Sequence, residues 1–280
     1  MLFLGPAFLS LRTIANSSGA EIERRLTELE QKHGGRLGVA ILNTATGRLI
    51  AHRGEERFPL CSTFKFLAVA FVLARVDRKE ESLARRITYS TDYLVAHSPI
   101  TRQYAGHGGL TVGEICEAAM TLSDNTAGNL LLDSFGGPAQ LTAYLRSLGD
   151  RVTRLDRRET ALNEAMPGDP RDTTTPAAML EILRKTVLGT ALSGSSRDQL
   201  VAWMVANKTG DARLRAGVPQ GWRVGDKTGS GTHNTTNDIA VIWPPRRAPI
   251  IVTTYYAEAL ASDDERNAVL SEVARLAIAV

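Results

Sequence analysis

The stretch Cys61-Ser62-Thr63-Phe64-Lys65 determines how the rest of this sequence is interpreted. Residues 66–74 after it are apolar on every side, which predicts a buried helix, and Pro59 just before it fits a helix that begins near Ser62. Residues three apart share one face of a helix, so Ser62 and Lys65 lie side by side in its first turn. A neighbouring base activates a serine hydroxyl, and a buried lysine can lose its proton. The pair therefore predicts a nucleophile and its base, although an N-cap serine beside a surface lysine has the same spacing.

The composition is that of an ordinary globular protein. The 280 residues are 43% hydrophobic and 22% charged, with a net charge of +3. Basic residues are scattered, so nothing indicates a nucleic-acid partner, and no apolar run reaches the roughly 18 residues of a membrane span. The spacing of the cysteines and histidines predicts no metal site, and no cofactor is predicted either.

Residues 1–19 are interpreted apart from the folded chain. Residues 1–11 are apolar but lack the basic start of a secretory signal, and small residues follow them. The segment is either the remnant of a signal peptide or a disordered end, and the first interpretation is preferred.

Strand patterns stand at both ends of the chain, with helical patterns between them. Amphipathic helices are predicted over 20–33 and 263–279. Five segments are predicted to be strands: 36–42, 48–52, 222–231, 239–243 and 250–256. This order predicts an α+β fold, with a mostly antiparallel five-stranded sheet and flanking helices. The sheet domain is formed by 20–58 and 208–280, an all-helical domain (59–207) is inserted into it, and the active site lies between the two.

One long segment without periodicity interrupts the helical part. Residues 157–172 are rich in glycine, proline and charge, and a loop of this length suggests a function. Within it, Glu159 and Asn163 are four residues apart. If both side chains turn inward, they can hold one water as its base and its positioner. The alternative is a loop glutamate in solvent.

Two further motifs carry chemistry. Ser123-Asp124-Asn125 lies between two predicted helices, where a serine can pass a proton and an amide can bind a substrate, although it also fits a plain helix N-cap. Lys227-Thr228-Gly229 and the following Ser230 lie on a predicted strand. Their polar side chains suit an anionic ligand, and the glycine lets that ligand approach the backbone. An edge strand protected by a lysine is the alternative.

Together, the four motifs in this order resemble the class A serine β-lactamases. The resemblance runs from about residue 20 to the C-terminus. It includes the strings Arg157-Arg158-Glu159-Thr160-Ala161-Leu162-Asn163-Glu164 and Arg171-Asp172-Thr173-Thr174-Thr175-Pro176. It implies the fold of the serine β-lactamases and D,D-peptidases, and an enzyme that hydrolyses the amide bond of β-lactam antibiotics through a serine acyl-enzyme.

The resemblance implies a role for each matching residue. The implied catalytic residues are Ser62 as nucleophile, Lys65 beside it, Ser123 as proton relay to the lactam nitrogen, and Glu159 as base for the hydrolytic water. Whether Lys65 or Glu159 takes the proton of Ser62 stays open. The residues implied to bind the substrate or the water are Asn125, Asn163, Lys227, Thr228, Gly229, Ser230, Arg213 and His97. His97 stands where many members carry an aromatic residue, and Arg266 is a second candidate for the arginine that meets the substrate carboxylate.

The resemblance also implies features outside the motifs. Arg157 and Asp172 are expected to pair at the ends of the long loop, and the peptide between Glu159 and Thr160 is expected to be cis. A monomer, secreted or periplasmic, is expected, with a small β-lactam as its partner.

Three other functions remain as alternatives. A penicillin-binding D,D-peptidase shares the serine–lysine and Lys-Thr-Gly signals but lacks the water site of Glu159 and Asn163. A β-lactam sensor is acylated without turnover and signals through a membrane segment, which this sequence does not show. A serine esterase usually carries Gly-x-Ser-x-Gly around its nucleophile, and Ser62 has no such context.

Overall fold

The structure, a computed structural model, describes residues 7–280, with side chains from residue 19 onward. Residues 1–6, part of the predicted signal remnant, lie outside the described residues. The first helix, α1 (Ala7–His33), begins at residue 7 rather than at the predicted residue 20. The small residues 15–20 hid this continuity, because runs of serine, glycine and alanine are typical of loops.

The predicted five-stranded antiparallel sheet is confirmed. In chain order the strands are β1 (Arg36–Asn43), β2 (Arg48–His52), β3 (Phe58–Pro59), β4 (Arg86–Ile87), β5 (Leu110–Thr111), β6 (Thr173–Thr174), β7 (Arg223–Gly231), β8 (Thr235–Trp243) and β9 (Ile250–Ala257). The sheet has the strand order β2-β1-β9-β8-β7, and each neighbouring pair is antiparallel. The two-residue strands form the pairs β3-β6 and β4-β5.

The strand β8 is longer than the sequence predicted. It begins at Thr235 rather than at residue 239, and its first four residues are polar yet buried. Sequence periodicity identifies strands by their apolar residues, so a polar buried segment gives no strand signal. The strand β7 lies at the edge of the sheet beside β8.

Helices occupy the middle of the chain and the C-terminus, as predicted. After α1 they are α2 (Phe64–Asp77), α3 (Val112–Thr121), α4 (Asn125–Ser134), α5 (Pro138–Ser147), α6 (Pro176–Leu183), α7 (Gly194–Val205) and α8 (Asp263–Ala277). A π-helical segment, Arg184–Leu188, continues α6. Short 3-10 turns lie at Cys61–Thr63, Thr91–Tyr93, Thr101–Gln103, Ala161–Glu164 and Leu214–Gly217. Thr111 and Glu114 form a capping box at the start of α3, and Pro138 stands in the first turn of α5.

Two hydrophobic cores lie on opposite sides of the sheet. The first surrounds α2, which is buried on nearly every side, as its apolar sequence requires. The second joins the other face of the sheet to α1 and α8, through residues such as Leu26, Val252 and Leu270. The turn Cys61–Thr63 before α2 packs against the edge strand β7, so the helical part and the sheet meet at Ser62. Among the helices of residues 7–280, none is long and apolar enough to cross a bilayer.

Candidate active site

Ser62 lies in the 3-10 turn that leads into α2, with 8% of its surface exposed. Cys61 before it has a positive φ of 44°, which turns the chain at the edge of β7. Lys65 begins the first full turn of α2 and is completely buried, and its Nζ donates to Ser62 Oγ over 2.9 Å. The predicted pairing of serine and lysine side chains is therefore present.

Lys65 is surrounded by oxygen atoms from three other elements. Its Nζ lies 2.9 Å from the backbone oxygen of Ser123 and 2.6 Å from Asn125 Oδ1. Glu159 Oε1 lies 2.8 Å from the same nitrogen, and neither side chain of this ion pair is exposed. A buried charge requires such partners, so these contacts hold the lysine beside Ser62.

Glu159 and Asn163 both turn inward from the long loop. Glu159 Oε1 lies 3.4 Å from Ser62 Oγ, and Asn163 Nδ2 donates to Glu159 Oε2. Asn163 Oδ1 is buried and accepts no hydrogen bond from the described part of the chain. A buried amide oxygen ordinarily has a partner, often a water. The Glu159 carboxylate thus joins the serine hydroxyl on one of its oxygens to the Asn163 amide on the other.

Asn129 on α4 holds the backbone of Glu159 and belongs to none of the sequence motifs. Its Oδ1 accepts the N–H of Glu159 over 2.9 Å, and its Nδ2 donates to the carbonyl of Glu159 over 3.0 Å. The peptide between Glu159 and Thr160 is cis, as the resemblance implied. Asn129 is an isolated amide within an apolar helix pattern, which was the one signal available in the sequence.

Arg157 and Asp172 close the two ends of the loop, as expected. Arg157 Nε donates to Asp172 Oδ2 over 2.5 Å, and the side chain of Asp172 is 1% exposed. Asp172 Oδ1 also accepts the backbone N–H groups of Asp156 and Arg157, over 2.7 and 2.8 Å. The carboxylate of Asp172 therefore holds the two ends of the long loop together.

Ser123 connects the two buried lysines. Its φ is 56°, which places its side chain and its backbone carbonyl on the same side of the turn between α3 and α4. Lys227 Nζ donates to Ser123 Oγ over 3.0 Å, and Lys65 Nζ lies 3.4 Å from the same oxygen. Burial, together with the positive charge of Lys65, lowers the pKa of Lys227 to about 7.

Gly229 allows β7 to approach the serine turn closely. A Cβ at this position would lie 3.0 Å from the backbone oxygen of Leu60 and 3.3 Å from the nitrogen of Ser62. Beside it, Arg213 donates to Ser230 Oγ over 2.7 Å and to the carbonyl of Gly229 over 2.9 Å. The arginine therefore supports the strand that faces Ser62.

A cavity of about 350 Å³ opens above these groups. Nine of the residues predicted for the site line it: Ser62, His97, Ser123, Asn125, Asn163, Arg213, Thr228, Gly229 and Ser230. The other three, Lys65, Glu159 and Lys227, lie beneath its floor in contact with lining residues. Thr209 also lines the cavity, and no sequence motif indicated it.

His97 and Arg266, the two candidates outside the four motifs that have not yet been described, lie in different places. His97 is exposed at the cavity mouth, where its Nε2 lies 3.0 Å from the carbonyl oxygen of Leu122. Arg266, the second candidate for the carboxylate-binding arginine, does not line the cavity and bonds Thr236 Oγ1, Ala261 O and Asp263 instead. Within residues 7–280, no group of three or more His, Cys, Asp or Glu side chains could hold a metal ion.

The arrangement defines a serine hydrolase. A buried lysine adjoins the nucleophile, a carboxylate and an amide can hold a water against the acyl-enzyme, and Thr228 and Ser230 of β7 line the cavity. The model of the β-lactamase enzyme family matches residues 21–280 of this chain. The chain belongs to that family.

Its relatives place it in class A. It is 48% identical to the β-lactamase OXY-2 of Klebsiella oxytoca, over 91% of this chain and 88% of that enzyme. It is 46% identical to the β-lactamase CTX-M-25 of Escherichia coli, again over 91% of this chain and 88% of that enzyme. The solved structure of an ancestral class A β-lactamase superposes with a TM-score of 0.91 at 66% identity, over 92% of this chain and 99% of that one. The putative class A enzyme PenP of Rhodopseudomonas palustris also gives 0.91, at 57% identity and the same coverage.

Proposed function

We propose that this protein hydrolyses the amide bond of β-lactam antibiotics in two steps, acylation of Ser62 and hydrolysis of the acyl-enzyme by a water. The observation that supports it most is that Glu159 contacts both Ser62 Oγ and the amide of Asn163, whose Oδ1 is buried and has no partner in the described part of the chain. A D,D-peptidase or a sensor that stays acylated needs no such water site, and the family of this chain does not favour either.

In acylation, Ser62 attacks the lactam carbonyl. Lys65 Nζ, at 2.9 Å, is the nearest proton acceptor once it is neutral, and Glu159 Oε1 is the next nearest, at 3.4 Å. Because Lys65 and Glu159 are themselves 2.8 Å apart, either route leaves the proton within this pair. Ser123 Oγ then passes a proton to the lactam nitrogen, replenished from the lysines on either side of it.

The developing oxyanion is stabilised by backbone N–H groups. We assign this role to the N–H groups of Ser62 and Ser230, which belong to the serine turn and to the facing strand. The close packing of Gly229 against the backbone of Leu60 and Ser62 supports the assignment, because it brings the strand next to the nucleophile. One such donor contributes about a hundred- to a thousandfold in rate.

The substrate carboxylate is bound by Thr228 and Ser230 in the field of the buried Lys227, with Arg213 behind Ser230. The side chain of the antibiotic lies on the opposite wall, beside Asn125, with His97 at the mouth. In deacylation, Glu159 removes a proton from the water that Asn163 positions, and the water attacks the ester of Ser62.

The site residues come from two parts of the chain. We propose a sheet domain of residues 20–58 and 208–280 and a helical domain of residues 59–207, with the active site between them. Ser62, Lys65, Ser123 and Glu159 come from the helical part, and Lys227 and Arg213 from the sheet part. From the resemblance, the protein is further proposed to be a monomer that is secreted or periplasmic.

Steady turnover of benzylpenicillin and nitrocefin tests the proposed activity. We expect the wild-type protein to convert many equivalents of each substrate, and Ser62→Ala to convert none and to form no covalent adduct. A wild type that stops after one equivalent, with a stable adduct on Ser62, would show a penicillin-binding protein or a sensor instead.

The pH dependence of turnover should report Lys227. Its pKa is about 7, so Lys227 is a cation below that pH and loses its attraction for the substrate carboxylate above it. We expect kcat/KM for benzylpenicillin to fall as the pH rises through about 7, mainly through KM. In Lys227→Arg the charge persists at all these pH values, so this alkaline limb should disappear. The same limb in the arginine variant would assign it to another group.

A further inference from the structure

Thr209 lines the active-site cavity without belonging to any of the motifs. It follows α7 in the chain and is partly exposed, next to Thr228 of the edge strand. The two threonine hydroxyl oxygens are 2.5 Å apart and hydrogen-bonded. Thr209 therefore contacts a residue that the proposed function assigns to carboxylate binding.

The direction of this hydrogen bond follows from the groups behind it. The backbone N–H of Thr209 can only donate, and its acceptor is Asn207 Oδ1 over 3.1 Å, which fixes the orientation of the Asn207 amide. Asn207 Nδ2 accordingly donates to Asp226 Oδ2 over 2.7 Å. Asn207 Oδ1 cannot donate, so the 2.8 Å bond between it and Thr209 Oγ1 uses the hydroxyl hydrogen of Thr209.

It follows that Thr228 donates to Thr209 when no substrate is bound. The hydroxyl hydrogen of Thr209 is directed to Asn207, so the hydrogen between the two threonines must come from Thr228. Thr228 then presents only lone pairs to the cavity. An anion cannot accept a hydrogen bond from Thr228 until this arrangement reverses.

We propose that Thr209 is a positioning residue of the carboxylate subsite, reversing its hydrogen bond so that Thr228 can donate to the substrate. When the carboxylate arrives, the Thr228 hydrogen turns to the anion and the Thr209 hydrogen turns to Thr228 Oγ1. Asn207 Oδ1 retains the backbone N–H of Thr209, so no buried acceptor loses all its partners. The aligned pair of hydroxyls strengthens the bond to the anion. This inference rests on the proposed function, and it makes Thr209 a residue that favours substrates with a free carboxylate over uncharged ones.

Removing the hydroxyl of Thr209 tests the proposal. Thr209→Val keeps the shape but not the hydrogen bond, and Thr209→Ser keeps the hydroxyl without the methyl group. The probes are a cephalosporin with a free carboxylate and the methyl ester of the same compound. We expect Thr209→Val to lower kcat/KM for the free acid about tenfold, the value of roughly one hydrogen bond, with the loss in KM rather than kcat. The ester should be hardly affected, and Thr209→Ser should behave as the wild type.

Each other outcome has a definite meaning. If Thr209→Val lowers activity on acid and ester equally, or if Thr209→Ser loses as much as Thr209→Val, the residue has only a packing role and the proposal fails. No change on either substrate also overturns it. If the valine variant folds poorly, Thr209→Ala removes the same hydroxyl and is judged by the same ratio of acid to ester. A wild type that hydrolyses neither probe would overturn the proposed function itself, which is a distinct result.

Discussion

Glu159→Ala is expected to be acylated by benzylpenicillin and then to stall as a long-lived acyl-enzyme. Ser62 and Lys65 stay in contact without the carboxylate, so attack on the lactam remains available. The hydrolytic water of the deacylation step loses its general base, and such a base raises the rate roughly a hundred- to ten-thousandfold. The hydrolytic water also loses one of the two side chains that position it, and Asn163 loses the carboxylate to which it donates. Deacylation should therefore slow by at least that factor.

Mass spectrometry of the intact protein measures this directly. The variant should carry an adduct equal to the mass of the whole penicillin, while the wild type shows little adduct and much hydrolysed product. Glu55→Ala, which removes an exposed glutamate remote from the cavity, is the matched control and should behave as the wild type. Turnover by Glu159→Ala at the wild-type rate would show that another group activates the water.

Asp172→Ala is expected to destabilise the protein and to slow deacylation together. Asp172 is almost fully buried, pairs with Arg157 and accepts two backbone N–H groups. Removing one partner of a buried ion pair costs about 3–5 kcal/mol. Arg157 would keep its contacts with Glu164 and Asp169, but two backbone N–H groups would lose their acceptor, so we expect the lower end of that range. The long loop then loses side-chain contacts that join its ends, so Glu159 is held less firmly, although its backbone keeps the two hydrogen bonds to Asn129.

Thermal unfolding and penicillin kinetics separate this effect from general damage. For a chain of this size, Tm should fall by on the order of 10 °C. Asp172→Asn keeps one acceptor oxygen and should fall between alanine and wild type. Asp198→Ala, at an exposed position of α7, should change neither quantity. An Asp172→Ala protein with wild-type Tm and wild-type kcat would contradict the role given to this pair.

The motif residues of the site could be predicted from the sequence, whereas the residues that hold them in place could not. Ser62 with Lys65, and Glu159 with Asn163, are close in the chain, so local spacing was enough to pair them. Asn129 was missed because it acts on a backbone thirty residues away, and only the folded chain brings them together. Thr209 was missed for the same reason.

The fold was likewise predictable where apolar residues recur periodically, and less so where they do not. The sheet and the buried helix α2 followed from apolar periodicity and composition. The start of β8 did not, because two threonines, an asparagine and an aspartate are buried there, and polar residues give no apolar periodicity. The start of α1 was also missed, since small residues conceal the continuity of a helix.

The surroundings of Lys65 have a consequence for where a proton can reside. A lysine ammonium has three hydrogens, yet four oxygen atoms lie within 2.9 Å of Nζ. Of these, Ser62 Oγ alone can also donate; the oxygens of Ser123, Asn125 and Glu159 act as acceptors. A neutral amine can therefore bond Ser123 and Asn125 with its two hydrogens and accept the hydrogen of Ser62 with its lone pair. In that neutral form no hydrogen of Nζ remains for Glu159 Oε1, which lies 2.8 Å away, so a change at Glu159 has to accompany the loss of the proton from Lys65.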